Sequence, residues 1–181
     1  MPYIAPFRGL DRNHKDQAAD VLRLALAPIS EAYRDIADAR AEVETFFTDP
    51  NRFAFAAVEK DQIIGWIGGI RAYGHGWELH PLCVHPEYQR CGVGRLLVRT
   101  LEDAARAENV CTIYLGADDE FNGTTASGVD LFDDLASHIR HLSVTARHPL
   151  AFYRSVGFIV VGLLPDVNGP GKPDILLAKR I

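Results

Sequence analysis

The chain has 181 residues, of which 48% are hydrophobic, and a formal net charge of −5. This length and composition suffice for one globular domain, which is predicted to span residues 1–181. The negative charge argues against nucleic-acid partners, and no apolar stretch reaches the ~20 residues that span a bilayer.

Patterns in the first half of the chain predict a strand, two helices and three further strands. Tyr3–Phe7 is the first strand candidate, and apolar residues at helical spacing predict a helix over Lys15–Ala27. A second helix is expected to begin after the N-cap Asp38, to run through Phe47 and to end at Asp49-Pro50-Asn51. The three further strand candidates, the first two joined by the turn residues Lys60-Asp61, are Arg52–Glu59, Gln62–Tyr73 and Trp77–His85.

At the start of the second half of the chain, the spacing of the apolar residues changes from a period of two residues, typical of a strand, to 3.6 residues, typical of a helix. Gly92–Glu108 has apolar side chains at helical spacing, and Cys111–Leu115 is typical of a short buried strand. Gly116–Asp130 is polar and is expected to be a loop. The remaining predicted elements are a helix over Leu131–Leu142, a helix from Pro149 through Ser155 that ends at Gly157, and strands over Phe158–Leu164 and Asp174–Lys179.

A glycine-containing turn, Gln89-Arg90-Cys91-Gly92-Val93-Gly94, connects a predicted strand to the predicted amphipathic helix. The first N–H groups of a helix lack internal acceptors and carry partial positive charge, so a diphosphate would fit this turn. The sequence has no GxxxxGK[ST] and its glycine spacing is not GxGxxG, which excludes two common nucleotide loops. The pyrophosphate of CoA remains as a ligand, and an ordinary glycine turn at a helix start stays open as the alternative.

Several segments carry a resemblance to known enzymes: Gln89–Gly94, Trp77–Leu82, Tyr114–Asp119, His148-Pro149 with Phe152-Tyr153, and Leu164–Gly169 with Lys172–Ile175. The first matches the pyrophosphate-loop pattern Q/R-x-x-G-x-G/A of the GNAT acetyltransferase superfamily. Together they resemble the aminoglycoside 6′-N-acetyltransferases, above all the chromosomal enterococcal type, from about Asp11 to Lys179.

This resemblance implies an α/β (α+β) GNAT fold, in which a strongly bent mixed sheet, flanked by helices, splays open between its fourth and fifth strands. It also implies acetyl-CoA as cosubstrate, held in that opening without a metal. The backbone of Leu82, Cys83 and Val84 would pair with the pantetheine arm, and Asn122 and Tyr153 would contact the cosubstrate. The residues that would hold the pyrophosphate are Gln89, Arg90, Cys91, Gly92, Val93, Gly94 and Arg95.

The strand Trp77–His85 carries the residue types that amine acetylation needs. Strand alternation places Glu78 and His80 on one face, and Pro81 is expected to mark a bulge. At pH 7 an amine with a pKa of about 10.4 is neutral in only about one molecule in 2,500, a difference of roughly 4.6 kcal/mol. Glu78 is the first candidate to take that proton or hold the ammonium, and His80 is the second. The Leu82 N–H is a candidate donor to the thioester oxygen, and the resemblance makes Tyr153 the candidate acid for the leaving thiolate.

Three acidic residues follow the predicted fifth strand, where the resemblance places the acceptor pocket. Asp118, Asp119 and Glu120, together with Glu78, would bind the ammonium groups of a polycationic aminoglycoside. A solvated acidic surface stays open as the alternative. The segment Ala27–Ile36 departs from the resembled enzymes in a region that walls the acceptor site, so the identity of the acceptor also stays open.

The predicted function is therefore direct acetylation of the 6′-amine of aminoglycosides from acetyl-CoA, an antibiotic-resistance activity. Acetylation of a polyamine or a protein amine, and a non-catalytic CoA-binding module, are the alternatives. The absence of a signal-peptide pattern predicts a cytoplasmic protein with no membrane partner, and the three cysteines without CxxC spacing are expected to be reduced and mostly packed. A homodimer supported by the apolar strand Ile175–Ala178 is a further expectation, although a buried strand explains the same pattern.

Overall fold

The structure, a computed structural model, describes residues 2–181 and divides into two compact units. The first unit extends to Ile113 and includes Ile181, and the second spans Tyr114–Arg180. The single-domain organisation stays a prediction, as does the splay between the fourth and fifth strands.

Over the described residues 2–113, the first unit contains an antiparallel meander and three helices longer than one turn. Its strands follow chain order, so that each pairs with the next along the sequence. These elements are β1 (Tyr3–Pro6), α1 (Arg12–Leu26), α2 (Ile36–Thr48), β2 (Arg52–Glu59), β3 (Gln62–Tyr73), β4 (Gly76–Val84) and α3 (Val93–Ala107). The predicted bounds of β2 and β3 are confirmed, and the Lys60-Asp61 turn between them has positive φ at both residues, as a tight hairpin requires.

Both N-terminal helices begin earlier than their apolar patterns indicate, because aspartates further upstream cap them. The side chain of Asp11 accepts a hydrogen bond from the His14 N–H, so α1 begins at Arg12. The predicted N-cap Asp38 is wrong: Asp35 accepts from the Ala37 N–H, and Asp38 lies within the first turn of α2. An Asp in the first turn stabilises a helix through its dipole, which explains why either residue resembles a start signal.

Aromatic rings fill the core of the first unit between the helices and the meander. Trp66 on β3 is fully buried, and its ring centroid lies 5.0 Å from that of Phe7 and 5.4 Å from that of Phe46. The indole N–H donates to the carbonyl of Ala18 on α1 at 2.9 Å. The core therefore fixes α1 and α2 against the middle of the sheet that carries β4.

A bulge interrupts the pairing of β3 with β4 next to Pro81, as the sequence predicts. Ile67 pairs with Leu82 and Gly69 with Leu79, so the single residue Gly68 faces the two residues His80 and Pro81. A Cβ on Gly68 would collide with the His80 carbonyl oxygen and the Phe46 ring, which is why only glycine fits there.

The second unit contains the remaining short helices and a strand pair at the end of the chain. The strands β6 (Ile159–Leu164) and β7 (Asp174–Arg180) are antiparallel, with Ile159 opposite Ala178 and Leu164 opposite Asp174. The elements are β5 (Thr112–Asp118), which begins in the first unit, α4 (Leu135–Arg140), α5 (Leu150–Ser155), β6 (Ile159–Leu164) and β7 (Asp174–Arg180). The helix predicted over Leu131–Leu142 is too long, because Asp134 caps it from within that range by accepting from the Ser137 N–H.

Candidate functional site

From Trp77 to its end at Val84, β4 presents alternate side chains to opposite faces, as predicted. Glu78, His80, Leu82 and Val84 are half-buried, whereas Trp77, Leu79, Pro81 and Cys83 are buried. On the β3 side, Leu82, Cys83 and Val84 pair with Ile67, Trp66 and Gly65. The predicted carboxylate and imidazole therefore share the half-buried face, next to the bulge.

The glycine turn after β4 has the backbone of an anion-binding N-terminus. Arg90 and Gly92 have positive φ values of 62° and 87°, and Gly92 is the N-cap of the 15-residue helix α3. A Cβ added to Gly92 would meet nothing within 4 Å, so the backbone at this helix end faces open space. The Gln89 side chain donates to the Val84 carbonyl at 3.0 Å and ties the turn to the end of β4.

The other predicted turn residues divide between packing and exposure. Val93, the first residue of α3, is buried, Gly94 is half-buried, and Arg90, Cys91 and Arg95 are exposed. Arg90 and Gly92, the two residues with positive φ, lead into α3, and the first N–H groups of a helix have no acceptor within the helix itself. The turn thus has the geometry and the cationic side chains that a diphosphate needs.

His80 lies in a cluster of polar side chains that the sequence patterns do not reveal. Its Nε2 is 3.3 Å from the Tyr33 hydroxyl and 3.4 Å from Oε1 of Glu42 on α2. The same Glu42 oxygen accepts from the guanidinium of Arg52 at 2.7 Å. Burial acts to raise the pKa of Glu42, but the hydrogen bond and charge of His80 and the charge of Arg52 outweigh it and lower that pKa.

One feature of the sequence points to Glu42 as a residue with a specific partner, namely its position on the apolar face of α2. The buried residues of α2 are Ala39, Val43 and Phe46, and Glu42 falls on the same helical face. A carboxylate on an apolar face needs a partner in the fold, but the partner itself is set by tertiary structure and not by local sequence.

The strand β5 extends past its predicted end at Leu115 to Asp118, and the three predicted acidic residues at and beyond its end occupy different environments. Asp118 is exposed, and its Oδ1 accepts from the Asn168 side-chain amide at 2.6 Å. Glu120 is half-buried, and Asn122 is exposed with a positive φ of 57°. Asp119 is only 1% exposed and accepts from the N–H groups of Gly123 and Thr124 and from the Thr124 hydroxyl, so its carboxylate organises the loop that follows.

Replacing Asp119 by Asn is expected to destabilise the protein by about 2–3 kcal/mol at pH 7, because an amide cannot accept from all three donors. Burial acts to raise the pKa of Asp119, but the hydrogen bonds from Thr124 and Gly123 and the nearby His148 lower it overall. A depressed pKa in the folded state gives stability that is present above the unfolded pKa of about 3.9 and is lost as the pH falls through the folded value. Urea unfolding at pH 7 and at pH 3 measures this, and the gap between Asp119→Asn and the unmodified protein should be narrower at pH 3. An equal gap at both pH values would contradict the assignment.

Tyr153 lies on α5 with only 8% of its surface exposed. Its ring packs against Phe152 and Phe158, with centroids 5.5 Å and 5.7 Å away. Its predicted position on a helix near Pro149 is confirmed, whereas its predicted chemical role stays a prediction.

The cysteines differ from the expectation that most of them are packed. Cys83 is buried, which raises the pKa of its thiol, but Cys91 and Cys111 are exposed. Among residues 2–181, no group of three or more His, Cys, Asp or Glu side chains is placed to hold a metal ion. No helix within that range is long and apolar enough to cross a membrane.

Comparison with known proteins identifies the family to which the chain belongs. The profile of the Acetyltransferase (GNAT) family matches residues 19–126, and the chain belongs to this family. A solved aminoglycoside 6′-N-acetyltransferase complexed with coenzyme A is 37% identical, with a TM-score of 0.87, over 98% of this chain and 96% of that one. The aminoglycoside 6′-N-acetyltransferase from Enterococcus faecium is 38% identical, with a TM-score of 0.84, over the same shares.

A curated N-acetyltransferase from Bacillus methanolicus, described as uncharacterized and lying in the lysA 3′ region, is 24% identical over 87 residues, 48% of this chain and 72% of its own. The predicted superfamily and its mixed α/β fold of strands flanked by helices are confirmed by these matches. The glycine turn at residues 89–94 lies inside the range that the family profile matches.

Proposed function

We propose that this protein is an aminoglycoside 6′-N-acetyltransferase that transfers an acetyl group directly from acetyl-CoA. The observation that carries the proposal is a likeness to such enzymes at 37% identity over 98% of the chain, one of them complexed with coenzyme A. The turn around Gly92 fits this cosubstrate, because the start of a long helix there faces open space. Arg90 and Arg95 flank that space with cationic side chains. Acetyl-CoA supplies an activated acetyl thioester.

The proposed roles of the chain's own residues divide between binding and proton transfer. The backbone of residues 82–84 binds the pantetheine arm, and the turn of residues 89–95 binds the pyrophosphate. Glu78 takes the proton of the acceptor ammonium, with His80 beside it on the same half-buried face of β4. The Leu82 N–H donates to the thioester oxygen, and Tyr153 donates a proton to the departing thiolate.

The acceptor side of the proposal rests on carboxylates. Asp118 and Glu120 bind ammonium groups, and the Asn168 amide holds Asp118 in place at 2.6 Å. Asp119 contributes through the loop that it organises, since its oxygens already accept three hydrogen bonds. Asn122 is proposed to contact the pantetheine arm.

The experiment that tests the function uses the purified chain, acetyl-CoA and a matched pair of aminoglycosides. One carries a 6′-amine and the other a 6′-hydroxyl at the same position. Thiol release is expected only with the 6′-amine, and mass spectrometry of the product should place one acetyl group on that nitrogen. Release with spermidine or a basic peptide, but with neither aminoglycoside, would establish the alternative amine acceptors. CoA binding without release from any amine would establish a binding module.

A charge at Gly92 is expected to weaken CoA binding strongly. Gly92→Asp should raise the Kd for CoA about 10- to 100-fold relative to Gly92→Asn, because a carboxylate would lie beside the bound diphosphate. Asn and Asp have nearly the same shape, both cap helices, and both tolerate positive φ better than most residues. Isothermal titration calorimetry measures the two Kd values, and the difference should shrink at 1 M salt. Equal Kd values at low salt would place the diphosphate elsewhere.

The biological setting that we propose is antibiotic resistance in the cytoplasm, where acetyl-CoA is available. Expression in a susceptible bacterium should raise the inhibitory concentration of the 6′-amino drug and leave that of the 6′-hydroxyl drug unchanged. A homodimer also stays a prediction. Its proposed support on β7 is weakened, because Ile175 and Leu177 are fully buried within the chain.

A further inference from the structure

The polar cluster around His80 contains a carboxylate for which the proposed reaction has no direct use. Glu42 projects from α2 with 15% of its side chain exposed, and His80 on β4 has 37% exposed. Tyr33, the third member, comes from the segment Ala27–Ile36, whose sequence departs from the resembled enzymes. The fold thus brings Tyr33 and Glu42, which are not predicted to belong to the site, into contact with Nε2 of His80, which is.

The chemistry of these partners determines which ring nitrogen carries the proton. An ionised carboxylate can only accept hydrogen bonds, so its contact with Nε2 is favourable only when Nε2 is protonated. The Tyr33 hydroxyl, 3.3 Å from the same atom, can accept from that N–H as well. In the neutral ring the lone pair then lies on Nδ1, which becomes the atom able to accept a proton.

The surroundings of Glu42 keep it ionised and fixed in orientation. Arg52 donates to Oε1 at 2.7 Å and also to the Thr45 hydroxyl at 3.1 Å, so the guanidinium is itself anchored to α2. Half-buried charges of this kind are retained only when they are paired, and this one is paired on two sides.

We propose that Glu42 is a positioning residue, which fixes His80 with Nε2 protonated and Nδ1 free to accept the second proton, the one that the amine nitrogen loses once it has attacked the thioester. The carboxylate also stabilises the imidazolium that forms, in the way that the acid of a hydrolytic triad supports its histidine. The kinetic part of this inference rests on the proposed acetyltransferase function, whereas the state of the His80 ring does not.

The state of the ring is tested first, without substrate. Long-range ¹H–¹⁵N spectra of the imidazole ring in alkaline buffer, where imidazoles are neutral, distinguish the two nitrogens. Nε2 is expected to show a bound proton and Nδ1 a lone pair in the unmodified protein. In Glu42→Gln the amide NH₂ can donate to Nε2, so the population of this tautomer should fall. A protonated Nδ1 in the unmodified protein would overturn the proposal, whatever its activity.

Kinetics then test whether the position matters for the reaction. Glu42→Gln is expected to lower kcat about 10- to 100-fold, the loss typical of removing the acid behind a functional histidine, and to leave the KM for acetyl-CoA unchanged. In a His80→Gln background the same change should have no further effect, since Glu42 acts through His80. Equal losses in both backgrounds would show a purely structural role and overturn the proposal.

Glu44→Gln is the matched control for these measurements. Glu44 lies on the same helix, is 55% exposed and pairs with Lys15 at 3.1 Å. It should change kcat by less than about twofold, as expected for an exposed ion pair. If the unmodified protein acetylates no amine but shows the expected tautomer, the proposed function fails while the assignment of the ring stands.

Discussion

Glu78→Gln is expected to lower kcat for acetylation of the 6′-amine about 100- to 10,000-fold, the range that a general base contributes. The amine enters the site as an ammonium, and roughly 4.6 kcal/mol separates it from the neutral form at pH 7 when its pKa is about 10.4. Glu78 lies on the half-buried face of β4, opposite Ile70 in the register. Gln keeps the shape of the side chain and removes its ability to take a proton. Steady-state assays of thiol release at saturating substrate measure the loss of kcat directly.

The pH dependence of the variant separates proton transfer from simple binding. Without Glu78 to take the proton of the ammonium, kcat of Glu78→Gln should rise about tenfold per pH unit toward the pKa of the amine, because only the neutral amine attacks the thioester. Glu59→Gln, at the half-buried end of β2, is the matched control and should leave kcat within about twofold. A Glu78 variant with unchanged kcat and a raised KM for the aminoglycoside alone would reassign Glu78 to holding the ammonium.

The predictions that the structure confirms depend on local patterns. The period-two alternation of β4 survives the bulge at Pro81, and the switch to helical spacing locates α3 within one residue of Gly92. The Lys60-Asp61 turn fixes the β2–β3 hairpin, since its two positive φ values match the twist of the strands. In each case a few neighbouring residues determine the backbone.

Several of the predictions that fail concern the residue at which a helix begins. Asp35 and Asp38 both suit the start of α2, and which one caps the helix depends on where Ala39, Val43 and Phe46 meet the core. Asp134 likewise shortens α4, because its side chain accepts from the Ser137 N–H and caps the helix just before Leu135. Propensity alone does not decide between such candidates.

The site residues show the same division. The turn around Gly92 is visible in the sequence, because glycine spacing and a helix start are local features. Glu42 and Tyr33 reach His80 only through tertiary structure, 38 and 47 residues away along the chain. Asp119 is predicted to bind substrate on the same grounds as its neighbour Asp118, but its carboxylate is buried and bonded within the loop that follows β5.

Trp66→Ala is expected to lower the free energy of unfolding by about 3–5 kcal/mol, the range found when large aromatic side chains are removed from cores. Trp66 is fully buried and has ring contacts with Phe7 and Phe46. Its loss would leave a cavity between the sheet and the helices α1 and α2, and it would remove the hydrogen bond to Ala18. Urea unfolding followed by circular dichroism at 222 nm measures the change.

Two further variants separate the causes of this loss. Trp66→Phe keeps most of the ring but removes the N–H donor, so it should cost about 1–2 kcal/mol. Tyr73→Ala removes an aromatic side chain from the same strand where 70% of it is exposed, and it should change stability by no more than about 0.5 kcal/mol. Because Trp66 pairs with Cys83 on β4, Trp66→Ala should also weaken CoA binding at urea concentrations below the unfolding midpoint, before the secondary structure is lost. If Trp66→Ala lowered the free energy of unfolding by less than about 1 kcal/mol, the core would have closed around the missing ring. Residues other than Trp66 would then have to hold β4 in place.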